Sequence, residues 1–185
     1  MQLKKFNFKI INSTNDLAIR IIKNTNNKSG IIIAEKQKKG RGQYGKKWTS
    51  FKGNLFVSVF FPIDKIQLSL KELSKVNCLL VKKLISDFYK GKISIKNPND
   101  LLINSKKISG ILQETLSKSG ETFIVVGIGV NLIKSPNIKN YPTTNLLDLT
   151  NVKINSYNAA LKLKKIYENF IPMILKFNVK NIDSI

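Results

Sequence analysis

Along the chain, apolar residues at helical spacing alternate with shorter apolar runs suited to strands, and one long polar, glycine-containing segment interrupts the order. Residues 6 to 11 predict a short first strand. Ser13-Thr14-Asn15-Asp16 then supplies capping residues ahead of Leu17, Ala18, Ile21 and Ile22, so a helix starts there. Ile31-Ile32-Ile33-Ala34 after Gly30 has the pattern of a buried strand. The segment from Lys36 to Gly53 has neither period and predicts a long loop, the first place to look for chemistry. Asn54 to Phe61 reads as a strand ended by Pro62, and Leu70 to Tyr89 as an amphipathic helix containing Cys78. Lys92 to Lys96, Asp100 to Ile103, Lys107 to Leu116 and Thr122 to Leu132 predict an antiparallel meander, with turn signals at Asn104-Ser105 and Ser119-Gly120. Past Pro136 and Pro142 an irregular stretch leads to Ser156, the expected cap of a last helix reaching about Leu175.

The 185 residues suit one domain with a sizeable core, and 42% hydrophobic with 23% charged residues describes an ordered chain. Histidine is absent, which removes Ser-His-Asp and Cys-His nucleophile systems and histidine metal ligation. A single cysteine forms no intrachain disulfide and no thiolate zinc cage, and fits a reducing compartment. No apolar run approaches the roughly 20 residues of a membrane helix, and the basic start lacks a signal-peptide core. The expectation is a cytoplasmic protein with no membrane partner. The formal net charge of +21 favours polyanions, yet Arg20 and Arg41 are the only arginines and the lysines are spread along the chain. That distribution reads as compositional drift rather than as a dedicated nucleic-acid surface.

Gly40-Arg41-Gly42-Gln43-Tyr44-Gly45 has the spacing G-x-G-x-x-G after a strand, but no helical period follows it, so the dinucleotide reading fails. Neither a Walker lysine motif nor a kinase catalytic loop is present. What remains is a basic loop whose three glycines can take positive φ and bring N–H groups to an anion, with Arg41 between two of them. Strand alternation puts Lys107 on the face of Ser109 and Ile111, opposite Ile108 and Gly110. Gly110 within a strand signals either a ligand approaching the backbone or a bulge. Gly127-Ile128-Gly129-Val130-Asn131 repeats that signal.

Taken in order, Ser13-Thr14-Asn15, the Gly40-Arg41-Gly42-Gln43 loop with Trp48, Lys96-Asn97-Pro98-Asn99-Asp100, Lys107-Ile108-Ser109-Gly110-Ile111-Leu112 and Gly127 to Asn131 resemble the biotin protein ligases. The likeness runs from about Asn12 to Asn131, then more weakly through the final helix. It implies an α+β fold: a mixed, largely antiparallel sheet backed by helices, like the catalytic fold of class II aminoacyl-tRNA synthetases. It also implies that biotin and ATP give biotinyl-5′-AMP and pyrophosphate, after which a lysine of a biotin carboxyl carrier protein takes the biotinyl group. By the same resemblance Ser13, Thr14, Asn15 and Gln37 bind the biotin head group, with Gly110 beside it. The loop with Gly40, Arg41, Gly42 and Gln43 closes over biotin and the adenylate, and Lys107 meets the biotin carboxylate. Trp48 stacks near adenine, and Asn131 helps hold the nucleotide. Mg²⁺ enters with ATP near Asn131 and has no dedicated protein site. Asp100 is the implied acceptor of a proton from the incoming lysine.

These roles agree with the residue chemistry. A carboxylate pressed against an α-phosphate needs cations, and the attacking groups belong to the substrates, so no nucleophilic side chain is required. Two positions depart from the family pattern: Gln43 stands where a second arginine is usual, and Asn97 where a tryptophan is usual. The motifs begin at residue 13, so no N-terminal helix-turn-helix, and hence no DNA operator, is expected. The small barrel that often follows the catalytic domain is also expected to be missing, leaving one catalytic domain over 1–185. Competing readings are a lipoate or octanoate ligase or transferase of the same fold and a basic RNA-binding protein. Cys78 in a helix argues against the cysteine-dependent transferases.

Overall fold

The two apolar rhythms divide cleanly into strands and helices in the computed structural model, which describes residues 1–174. Seven strands form one sheet: β1 (Lys4–Ile11), β2 (Gly30–Gln37), β3 (Leu55–Pro62), β4 (Ser94–Lys96), β5 (Asp100–Ile103), β6 (Lys106–Lys118) and β7 (Glu121–Val130). Their order is β1-β2-β3-β7-β6-β5-β4. Only β1 and β2 run parallel, joined through helix α1 (Thr14–Asn24); every other neighbouring pair is antiparallel. The expected meander is therefore present. Its two tight turns, Asn104-Ser105 and Ser119-Gly120, take left-handed φ at both residues, the geometry that lets a two-residue hairpin follow the sheet's twist.

The period-2 pattern of the inner strands decides which helix covers which face. In β3, Leu55, Val57, Val59 and Phe61 face helices α2 (Leu70–Ser86) and α4 (Ser156–Ile174), joining a large core with Leu80, Leu84, Leu163 and Tyr167. The alternate residues turn toward α1, where Ile32, Phe60, Phe123 and Val125 close a smaller core around Ala18 and Ile22. On that second face β7 changes character partway along: Phe123 and Val125 lie beneath α1, and beyond them come Gly127 and Gly129. The sheet is thus stripped of side chains just past the N-terminus of α1, which creates the floor of a cavity.

Several boundaries differ from the sequence expectation. Helix α2 ends at Ser86, and the N–H groups of Phe88 and Tyr89 continue only as a frayed turn onto Ile85. A five-residue helix, α3 (Leu146–Thr150), interrupts the stretch expected to be irregular; Asn145 caps it by accepting from the Asp148 N–H. The cap of α4 is Asn155 rather than Ser156, with its side-chain oxygen taking the Asn158 N–H at 3.0 Å. The expected end of that helix at Leu175 lies outside the described residues.

Candidate active site

Helix α1 opens at the edge of the glycine floor, and its first residues are fixed by capping. Ser13 Oγ accepts from the Asp16 N–H, and Gln37 at the end of β2 accepts from both the Thr14 N–H at 2.8 Å and the Thr14 hydroxyl. Asn15 reaches across the sheet. Its amide nitrogen donates to the Leu112 carbonyl and, at 2.6 Å, to Glu114, while its oxygen accepts from Ser58. A Cβ on Gly127 would collide with Asn15, so the glycine makes room for this crosslink.

Within the segment expected to be a long loop lies a small hairpin. Arg41 and Lys47 form an antiparallel bridge, with the Gly42 N–H donating to Lys46 and the Trp48 N–H to Gly40. One turn of 3₁₀ helix, Gln43–Gly45, forms its tip. The expectation of positive φ at all three glycines holds only for Gly45; the other left-handed residue is Tyr44, while Gly42 has φ −114°. Gly40 is required for space instead, because a Cβ there would meet the Trp48 carbonyl. The hairpin folds Trp48 down onto the floor. Its indole covers Gly129 and lies 2.7 Å from where a Gly110 Cβ would be. Its buried Nε1–H has no hydrogen-bond partner.

Lys107 shows a correction that a bulge imposes. Leu101 pairs with Ser109 and Leu102 with Lys107, so Ile108 is an extra residue in β6. Beyond the bulge the alternation reverses, and Lys107 shares the face of Gly110 rather than that of Ser109 and Ile111; its Nζ would lie 3.1 Å from a Gly110 Cβ. The bulge lies two residues from Gly110, which lines the cavity and is approached by Trp48 and Lys107. The Lys107 ammonium pairs with Asp100 at 2.7 Å and lies between the rings of Trp48 and Tyr141, 5.4 and 5.5 Å from their centroids. Tyr141 donates its hydroxyl to the other Asp100 oxygen. Burial first, then this bond and the Asp100 charge, push the Tyr141 phenol up to about 12. The backbone of Lys107 is gripped as well, by the Pro142 carbonyl and the Thr144 N–H at 2.9 Å each.

Arg41 is held differently. Its Nη2 lies 2.7 Å from Asp16 on α1 and 2.7 Å from Glu114 on β6, whose second oxygen is at 3.0 Å. Burial disfavours its charge, but the Glu114 hydrogen bond and the two carboxylates outweigh that and keep its pKa above the usual arginine value. Asn131, just past β7, is buried and donates its amide to Thr144. Asn54 secures the following turn by accepting from the N–H groups of Leu132, Ile133 and Lys134.

A cavity of about 540 Å³ joins these parts. Ser13, Thr14, Asn15, Gln37, Arg41, Gly42, Gln43, Trp48, Asp100, Lys107, Gly110 and Asn131 all line it, and Gly40 alone of the expected site residues does not. Arg41 and Lys107 therefore face one shared space. Asp16, Ser58, Glu114 and Tyr141 belong to the same constellation and were not singled out from the sequence. Glu114 was findable, since it follows Gly110 and Leu112 at alternate positions of one strand; Tyr141 carries no local signal. Among the described residues, no group of three or more acidic or cysteine side chains gathers as a metal-binding set.

This site can be compared with those of known proteins. The family model described as Biotin/lipoate A/B protein ligase family matches residues 7–131. The bifunctional ligase/repressor BirA of Escherichia coli is 36% identical over 126 residues, covering 66% of this chain and 39% of that protein. The biotin–[acetyl-CoA-carboxylase] ligase of Paracoccus denitrificans is 32% identical over 127 residues, 67% of this chain and 52% of that protein. Among solved structures, the biotin protein ligase of Aquifex aeolicus in complex with biotin and ATP superposes with a TM-score of 0.76 at 28% identity, covering 94% of this chain and 70% of that one. The chain thus spans about half or less of the length of these curated relatives. The fold is the mixed, helix-backed sheet of the class II synthetase-like biotin ligases. Because the matched residues run from β1 to the Asn131 end of β7, through most of the cavity wall, the chain belongs to the biotin/lipoate A/B protein ligase family.

Proposed function

We propose that this chain activates biotin with ATP to biotinyl-5′-AMP, releasing pyrophosphate, and then transfers the biotinyl group to a lysine of a biotin carboxyl carrier protein. The observation that carries the reading is the convergence of Arg41 and Lys107 on one cavity. Attack of a carboxylate on an α-phosphate brings two anions together, and preorganised cations beside the reacting atoms stabilise the transition state without reorganising. Biotin is favoured over lipoate because the Paracoccus denitrificans and Aquifex aeolicus relatives described above are named for biotin.

In this reading Ser13, Thr14, Asn15 and Gln37, with Gly110, receive the biotin head group. The hairpin with Gly40, Arg41, Gly42 and Gln43 covers biotin and the adenylate. Trp48 offers adenine a flat apolar surface, and Asn131 helps hold the nucleotide. Lys107 meets the biotin carboxylate and then the acyl phosphate. Asp100 first acts by holding Lys107, since its oxygens engage Lys107 and Tyr141; accepting a proton from the carrier amine requires it to release one of them. Mg²⁺ suits the nucleotide phosphates better than any carboxylate set among the described residues, and it would supply further charge compensation when bound.

The test is direct. Purified protein with biotin, ATP and Mg²⁺ should release pyrophosphate and label a carrier protein. Lipoate in place of biotin should yield neither product. Absence of both products with biotin overturns the reading.

A further inference from the structure

Arg41 is the only arginine lining the cavity, and two carboxylates from elements outside its hairpin already neutralise it. Glu114 is the centre of this arrangement. It takes two contacts from Arg41, at 2.7 and 3.0 Å, and one from Asn15 at 2.6 Å, so a single carboxylate joins the hairpin, helix α1 and strand β6. Asp16 adds a second anchor at 2.7 Å from the first turn of α1. The hairpin has few other attachments to the floor: its internal hydrogen bonds hold its own shape, and Trp48 is its one large side chain resting on the sheet.

We propose that Glu114 and Asp16 are positioning residues that keep the Arg41 hairpin closed over the cavity before any phosphate is bound. Closure in this chain is drawn by protein carboxylates, not by the ligand alone. The arrangement also answers the glutamine at position 43. Where a second cation is missing from the tip, closure depends more heavily on the one arginine and on whatever holds it. When an adenylate forms, its phosphate competes with Glu114 and Asp16 for the guanidinium. Arg41 then exchanges one anion for another within the same small region, without the hairpin having to fold from an open state. The inference that closure slows escape of the intermediate rests on the proposed ligase reading; the inference that the two carboxylates close the hairpin does not.

The experiment therefore has two arms. Glu114→Gln and Asp16→Asn preserve shape, and a glutamine at 114 can still accept from Asn15, so the charge toward Arg41 is what each variant removes. In the ligand-free protein, amide hydrogen exchange of Gly42, Lys46 and Trp48 should quicken by on the order of tenfold in Glu114→Gln, the scale of a charge-assisted hydrogen-bonded pair that is partly screened. The Asp16→Asn effect should be smaller. Adding Glu114→Gln to an Arg41→Gln background should change exchange no further, because both act through one contact. Equal exchange in wild type and Glu114→Gln, or additive effects in the double variant, overturns the proposal whatever the enzyme's activity. In the second arm, biotinyl-adenylate release should accelerate in Glu114→Gln while the rate of adenylate formation at saturating substrates changes much less. Equal losses in formation and retention would show that Glu114 does not act through closure.

Discussion

Six cationic side chains line the cavity, and the two on which the ligase reading rests, Lys107 and Arg41, are held by opposite means. Lys107 sits on a strand, its backbone bonded on both sides, its ammonium against Asp100 and between two aromatic rings. Arg41 sits on a hairpin over the sheet, and carboxylates from two other elements hold its more exposed side chain. The first arrangement needs no closing motion and is shielded from salt. The second is an ion-pair cluster close to solvent, where screening is strong and the net energy of each pair is small. On the proposed ligase reading, a site that admits two substrates and releases a large product is served by one fixed charge and one movable charge. In that reading Lys107 would be the fixed charge and Arg41 the movable one.

Lys107→Met should give the largest effect, since in the proposed reading it removes the fixed charge beside the reacting atoms. Adenylate formation should fall by about 10²–10³-fold, the usual loss on deleting one preorganised electrostatic contact, while fluorescence of Trp48 remains close to wild type. A fall of less than a few-fold would assign the fixed charge elsewhere. Next is the floor itself. Gly129→Ala puts a methyl group where the indole lies, and overpacking of this sort costs about 1–3 kcal/mol or expels the ring. Trp48 is the only tryptophan, so expulsion should appear as a red-shifted emission together with weaker ATP binding.

Ionic strength separates the two cations more gently. Raising salt from low to near-molar should loosen the hairpin, read as faster amide exchange at Gly42 and Trp48, and leave exchange at Ser109 and Gly110 beside Lys107 unchanged. A separate effect concerns alkaline pH. The Tyr141 phenol and the Cys78 thiol are both pushed up to about 12, each by burial first, with Asp100 contributing to both. Their protonated forms are favoured in the folded state, so that contribution is complete below the unfolded values. It is lost as pH rises through about 9 to 12, and the urea midpoint should fall over that window. Tyr141→Phe should flatten part of the fall. Cys78 should resist thiol reagents in the native protein at neutral pH and react on unfolding.

Much of the fold could be read from residue patterns because each pattern has a local cause. Alternation in β3 and β7, the capping residue Ser13, and the two hairpin turns depend on neighbours within a few positions. Failures occurred where a distant contact decided the outcome. The bulge at Ile108 is visible only in the pairing with β5, and it turns Lys107 to the other face. The hairpin at Arg41 read only as a long loop because its few bonds carry no periodicity. Tyr141 reaches Asp100 across 41 residues of sequence, a contact that no local pattern encodes.

The sequence by itself determined the strand and helix order, the glycine gaps in β6 and β7 and the set of polar residues available for chemistry, because propensity, alternation and capping act over a few bonds. Only the tertiary structure decided which of those residues meet. It turned Lys107 into the cavity that Arg41 also lines, set Trp48 on bare glycine backbone and gave Arg41 its two carboxylate anchors, because strand register and packing across the sheet are properties of the folded whole.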